Sequence, residues 1–163
     1  MATRHKNLSF YKEGQVPSGE EMRIGIIVSE WNPEITDALL QACTETLAAN
    51  KTQKENIFIV YVPGSFELPS AAQMLMEGME LDAIICLGCI IKGETQHDEY
   101  IANAIAHGIM MISVDYSTPV IFGVLTTNNL EQAIDRAGGK YGNKGTEAAI
   151  AALKMAALRK KLI

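Results

Sequence analysis

The apolar positions fall into four units of one kind. Each has a short apolar run, a polar or glycine-bearing break, and a longer stretch with helical spacing. The first run is Arg23–Val28, β-branched and apolar on both faces, as in a strand buried on both sides. After the loop Ser29–Pro33, where Pro33 suits a first helical turn, Ile35, Leu39, Ala42, Cys43, Thr46 and Leu47 share one helical face to about Asn50. Ile57–Tyr61 reads as the second strand, Val62–Pro69 as a loop, and Ala71 to about Met79 as the second helix.

Ala83–Ile91 is the third strand. The chain breaks at Lys92-Gly93 and restarts as a helix at Thr95. The end of that helix is ambiguous, because Met110–Val114 has strand propensity. Ile101, Ile105, Ile109, Ile112 and Tyr116 nevertheless continue one helical stripe, and a strand there would leave too few residues for a parallel crossover. The helix is therefore extended to about Tyr116. Pro119–Thr126 is the fourth strand, and Asn128-Asn129-Leu130-Glu131 opens a helix with capping-box spacing that stops at Gly138-Gly139. An alanine-rich final helix runs from near Asn143 to about Lys160.

Four strand-then-helix units predict a four-stranded parallel sheet with helices on both faces: an α/β, flavodoxin-like, three-layer sandwich covering residues 23–163. Met1–Met22 is polar and broken by Gly14, Pro17 and Gly19. It reads as an N-terminal arm, partly ordered at best, in which Leu8–Tyr11 could add a short edge strand. In this fold class ligands bind at the carboxyl ends of the strands, so the four loops that follow the strands are where chemistry is sought.

Composition narrows the picture. The 163 residues are 48% hydrophobic and 20% charged, the profile of a folded globular chain, and the net charge of −5 disfavours nucleic acid or an anionic membrane as partner. No signal peptide is evident in the polar N-terminus and no apolar run reaches membrane-spanning length, so a cytoplasmic protein is expected. The three cysteines suit a reducing compartment. Cys86 and Cys89 match C-x-x-C, but no second ligand pair exists for zinc, and residues an odd number apart on a strand point to opposite faces. They are expected to be small buried residues.

Four loops carry the candidate chemistry. The first has Trp31, which could stack on a flat heterocycle or serve in a core or interface. The second has Glu67 beside Ser65 and Phe66, either a ligand acceptor or a helix-opening acid that suits the dipole. The third is the most distinctive: Thr95 could cap a helix with Asp98 three residues on, and the amides of Glu94 and Thr95 would face an anion. His97 lies in the first turn, where the dipole favours the neutral imidazole and a bound dianion opposes it. That balance suits a proton carrier, against the alternative of a surface histidine without a role. The fourth unit offers Phe122 and Arg136. Arg136 could grip phosphate together with the Gly138-Gly139-Lys140 turn, or simply complement the end of its helix. His5 in the arm and His107 in mid-helix form no metal triad with His97, and no metal or other cofactor is expected.

VPGSFELP at Val62–Pro69, GCIIKGETQHDEY at Gly88–Tyr100 and PVIFGVLTTNNLEQAIDRAGGKYGNKG at Pro119–Gly145 closely resemble, in order and spacing, the lumazine synthase family. The similarity covers roughly Arg23–Ala157. It implies condensation of 5-amino-6-(D-ribitylamino)uracil with 3,4-dihydroxy-2-butanone 4-phosphate, releasing phosphate and water. Trp31 would stack on the pyrimidine, Ser65, Phe66 and Glu67 would line the uracil-ribityl site, and Cys89, Ile90 and Ile91 would meet the pyrimidine through their backbone. Glu94 and Thr95 would bind the butanone phosphate by their amides, with Arg136 as counter-charge and Lys144 nearby. Glu94 departs from the small residue common in relatives. His97 would donate and accept protons, and Phe122 would cover the pyrimidine from an adjacent subunit. The family assembles as pentamers, and the short Gly138–Asn143 turn resembles that of members whose twelve pentamers close into an icosahedral shell. Riboflavin synthase is an implied partner. A related enzyme forming riboflavin from lumazine, or a shell protein without catalysis, would share the fold but not the product.

Overall fold

The computed structural model describes residues 9–11 and 14–163; His5 and Leu8 lie outside them. Strands β1 (Ile24–Ser29), β2 (Ile57–Val62), β3 (Ala83–Ile91) and β4 (Val120–Thr127) form a parallel sheet in the order β2-β1-β3-β4. Helices α1 (Pro33–Ala49), α2 (Leu68–Gly78), α3 (His97–Asp115), α4 (Leu130–Arg136) and α5 (Lys144–Leu162) complete a flavodoxin-like three-layer sandwich.

The strand alternation sorts side chains into two cores. Ile24, Ile26 and Val28 of β1 and Ile85, Leu87 and Cys89 of β3 enter one core with Leu39, Cys43 and Leu47 of α1 and Ala149, Ala152 and Leu153 of α5. Ile27, Ile84 and Cys86 enter the other, with Leu68 and Ala72 of α2 and Ile105 and Ile109 of α3. Sealing a side chain such as Leu39 or Ile105 from water contributes about 2 kcal/mol each. The alanines of α5 permit close approach: a Cβ on Gly145 would collide with the Leu39 carbonyl of α1.

Several boundaries differ from the sequence expectation. Helix α2 begins three residues earlier than Ala71, at Leu68, because Pro69 is accommodated in the first turn. Helix α3 starts at His97, not Thr95; Gln96 occupies the capping position and no side chain caps this end. The Asn cap of α4 is Asn129, which accepts from the Gln132 amide, while Gln132 Oε1 accepts from Asn128 N. Between α4 and α5, a small antiparallel pair β5 (Ala137–Gly139) and β6 (Gly142–Asn143) replaces the expected plain turn. Gly138 (φ 115°) and Gly142 (φ 84°) supply the left-handed conformations that this tight reversal requires.

The N-terminal segment is more engaged than its polarity suggests. Val16 and Met22 are buried in the α1/α5-side core, and Gly19 N donates to Asn50 O at 2.8 Å. Ser9–Tyr11 form no strand. Instead Ser9 Oγ accepts from Asn143 N and donates to Asn143 O, fastening the segment to β6.

Candidate functional site

The connection from β1 to β2 leaves the sheet in one direction and the connection from β2 to β3 returns to the other side of β1. The chain therefore parts between β1 and β3 at their carboxyl ends, the topological position where α/β sheets open a crevice. A cleft of about 870 Å³ occupies this position. The loop after β1 contributes Trp31 and Asn32, the 3-10 turn Ser65–Glu67 contributes all three of its residues, and β3 contributes Cys89, Ile90 and Ile91. The loop after β3 and the start of α3 add Gly93, Thr95, His97, Asp98 and Tyr100.

Local sequence explains how these groups are held. Asn32 precedes Pro33 in the left-handed conformation (φ 61°) that asparagine tolerates, and its Nδ2 donates to Cys89 O at 3.0 Å. One side chain thus ties the β1 loop to the end of β3. Gly88 makes room for the second loop: a Cβ there would stand 2.6 Å from Ser65 Oγ. At the start of α3 the first amides have no acceptor within the helix and no side-chain cap, which leaves donors for an anion.

Trp31, Ser65, Phe66, Glu67, Cys89, Ile90, Ile91, Thr95 and His97 are gathered around this one cleft. Glu94, Phe122 and Arg136 are not among its lining residues. Phe122 packs, half-buried, against the α2/α3-side core from edge strand β4. Arg136 is committed elsewhere: Nη2 pairs with Glu147 Oε1 at 2.8 Å and Nη1 donates to Tyr141 O at 2.7 Å. Glu147, with a side chain only 4% exposed, also holds Lys144 Nζ at 3.4 Å. Within one chain Arg136 therefore stands apart from the cleft. Among the described residues no lysine or arginine lines the cleft, and Lys144 stands with Arg136.

Sequence reading missed Asn32, Tyr100 and Asp98 as lining residues. Asn32 carries a usable signal in Asn-Pro at a strand's carboxyl end; the spacing of Asp98 from Thr95 suggests a capping partner, a role that the helix start at His97 removes.

Trp31, Phe66 and Tyr100, which line the cleft, are 71%, 59% and 70% exposed. Of the lining residues, Ser65 and Asp98 each have a side-chain oxygen, Oγ and Oδ1, that is buried without a hydrogen-bond partner among the described residues. Cys86 and Cys89 lie in opposite cores, and burial pushes both thiols up, Cys89 to about 11 with a further contribution from the charge of Glu34. They are inert packing groups at neutral pH. Among the described residues no group of three or more His, Cys, Asp or Glu is placed to hold a metal ion.

An arrangement of this kind can stack a flat heterocycle, accept hydrogen bonds from its donors, hold an anion at a helix start and place an imidazole between the two. Residues 21–160 match the family model described as 6,7-dimethyl-8-ribityllumazine synthase. A protein of Porphyromonas gingivalis with that name is 49% identical over 98% of this chain and 99% of its own length. Those of Cytophaga hutchinsonii and Parabacteroides distasonis are 52% and 49% identical, over 96% and 95% of this chain and 98% and 97% of their own lengths.

Proposed function

The chain belongs to the 6,7-dimethyl-8-ribityllumazine synthase family, and from that premise we propose how its residues divide the work. The enzyme is a transferase of riboflavin biosynthesis, condensing 5-amino-6-(D-ribitylamino)uracil with 3,4-dihydroxy-2-butanone 4-phosphate. The amine attacks the ketone, water leaves to give an imine, phosphate is eliminated, and the ring closes with loss of a second water.

Trp31 stacks on the pyrimidine, while Ser65, Phe66 and Glu67 take the uracil and ribityl groups. The backbone of Cys89–Ile91 aligns the ring edge. Thr95 and Glu94 offer amides to the butanone phosphate, the Glu94 side chain turning away from it. His97, at the start of α3, accepts the proton of the attacking amine and returns one to the departing hydroxyl. Phe122 and Arg136 complete the site from a neighbouring copy, with Lys144 beside Arg136. The observation that carries this division is that no lysine or arginine among the described residues of one chain lines the cleft, although one substrate is a phosphate ester. Rings as exposed as Trp31 and Tyr100 also suit a site that is closed by a second subunit.

The assembly is accordingly a homopentamer, and the short β5–β6 reversal fits twelve pentamers in an icosahedral shell, with riboflavin synthase as a partner. Residues 23–163 form the catalytic domain and residues 1–22 an arm. The cytoplasm is the compartment that suits three buried free thiols, and no helix of the described residues is long and apolar enough to cross a membrane. Mixing both substrates with the protein and following lumazine absorbance together with phosphate release tests the residue assignments through variants of each. Light scattering after size exclusion tests the assembly, and a mass near one pentamer overturns the shell.

A further inference from the structure

We propose that Asn143 is a positioning residue for the butanone phosphate: its side-chain amide ties the start of α5 to α1 and so holds Arg136 and Lys144 where they grip the anion. The inference rests on the reading above, in which these two cations serve the cleft of a neighbouring copy. Asn143 caps α5, its Oδ1 accepting from Gly145 N at 2.8 Å, while its Nδ2 donates to Ala38 O of α1 at 3.1 Å. The main chain of the same residue is bracketed by Ser9, whose Oγ accepts from Asn143 N at 2.9 Å and donates to Asn143 O at 3.1 Å. In β6 it stands opposite Ala137, the residue after Arg136. One residue therefore joins the N-terminal segment, α1, the β5–β6 reversal and α5.

The contacts call for a primary amide. Gly145 N–H needs an acceptor and the Ala38 carbonyl needs a donor, and a short side chain that supplies both on separate atoms is asparagine. Capping α5 would need the acceptor alone. The second bond fixes where α5 begins against α1, and Gly145 lets α5 come against the next carbonyl, that of Leu39. The first turn of α5 carries Lys144 and Glu147, and Glu147 receives Arg136 Nη2 at 2.8 Å and Lys144 Nζ at 3.4 Å. Arg136 Nη1 also donates to Tyr141 O, between β5 and β6. The side chains of Arg136 and Lys144 are 16% and 29% exposed, and these bonds use two of five guanidinium donors and one of three ammonium donors. A shift of α5 on α1 would thus move both cations together. Ser65–Glu67 and Cys89–Ile91 stand on other elements, so the effect falls on one substrate.

The test is steady-state kinetics of the full-length assembled enzyme, varying each substrate against saturating partner, with inorganic phosphate as inhibitor. Asn143→Ser keeps a hydroxyl that can cap α5 but loses the donor to Ala38 O. It is expected to raise KM for the butanone phosphate, and the inhibition constant of inorganic phosphate, about fivefold or more, with KM for the pyrimidine within about twofold. Asn143→Ala, which loses the cap as well, should move the same constants at least as far and also lower the melting temperature. A role confined to capping predicts otherwise: the serine variant would match the unaltered enzyme, and the alanine variant would melt earlier without a selective change in KM. That result, or equal rises in both KM values, overturns the inference. Should Asn143→Ser fail to assemble, Ser9→Ala removes only the hydroxyl that brackets the same residue; a smaller rise confined to the butanone phosphate supports the clamp, and no change overturns it. Arg136→Ala separates the two levels: if it leaves KM for the butanone phosphate unchanged, the phosphate reading falls and the inference with it. If Arg136→Ala raises that KM while Asn143→Ser does not, the Asn143 role falls alone.

Discussion

The cleft beside β3 and the ion cluster at the start of α5 are both polar places in one fold, and they are built on opposite terms. In the cluster every strong group has a partner: both carboxylate oxygens of Glu147 are engaged, by Arg136 and Lys144, and Arg136 also donates to Tyr141 O. In the cleft, Ser65 Oγ and Asp98 Oδ1 are buried without partners and three aromatic rings stand in solvent. A buried unpaired atom costs about 1–3 kcal/mol, so the residues of the cleft carry a local cost that the fully paired cluster does not.

The sharpest test of that contrast is His97→Ala. It removes an exposed cleft residue, so thermal stability and assembly should hold. Turnover should fall by about a hundredfold or more if the imidazole carries protons. The measurement pairs stopped-flow lumazine formation with a melting curve. A variant that melts early at an unchanged rate would reverse the roles of the two regions.

Arg136→Ala attacks the other side. It leaves the buried Glu147 with Lys144 alone, and breaking a buried pair in this way should cost roughly 3 kcal/mol of stability. Adding Glu147→Ala should restore part of that, because the two residues share one interaction. Denaturant titrations of the single and double variants measure the coupling. The same Arg136→Ala should raise KM for the butanone phosphate if a neighbour's cleft uses the remaining guanidinium donors; a change confined to pyrimidine affinity would place Arg136 in the wrong half of the site.

The contrast also explains what the sequence could and could not reveal. Strand and helix units are written in apolar periodicity, so the sheet, its parallel sense and the corner after β3 were legible. The offset of α3 to His97 was not, because Thr95 and Asp98 match a capping pattern that the backbone does not use. The β5–β6 pair is too short to leave a periodic trace and is set by Gly138 and Gly142. Motif order likewise brings Arg136 and His97 onto one page without saying whether they meet in one chain. Only packing shows Arg136 bound to Glu147, away from the cleft.

Trp31→Ala should have a smaller effect, about a tenfold rise in KM for the pyrimidine, in line with the loss of one aromatic stacking partner. Trp31→Phe should recover most of it. If Trp31→Ala instead disperses the assembly in light scattering while a fixed fraction of activity follows the assembled material, its 71% exposed ring serves the interface and not the heterocycle.

The mildest prediction concerns Cys89, which belongs to both kinds of environment at once. Its carbonyl accepts from Asn32 Nδ2 at the cleft wall, while its side chain is sealed in the α1/α5-side core, the residue being 2% exposed. Burial, then the charge of Glu34, raises its thiol to about 11, and burial raises Cys43 to about 12. Each folded value lies above the ordinary 9.0, so the folded protein keeps protons that the unfolded chain releases. The sign follows: the thiols take nothing from stability below pH about 9, and stability falls as pH rises from there toward the folded values. Denaturation midpoints should accordingly be flat through the enzyme's neutral range and drop in alkali. Iodoacetamide at pH 8 should leave Cys89 unmodified until the chain unfolds. Rapid alkylation of the native enzyme, blocked by a pyrimidine ligand, would mean instead that the thiol faces the cleft and that this wall is open on its side-chain side as well.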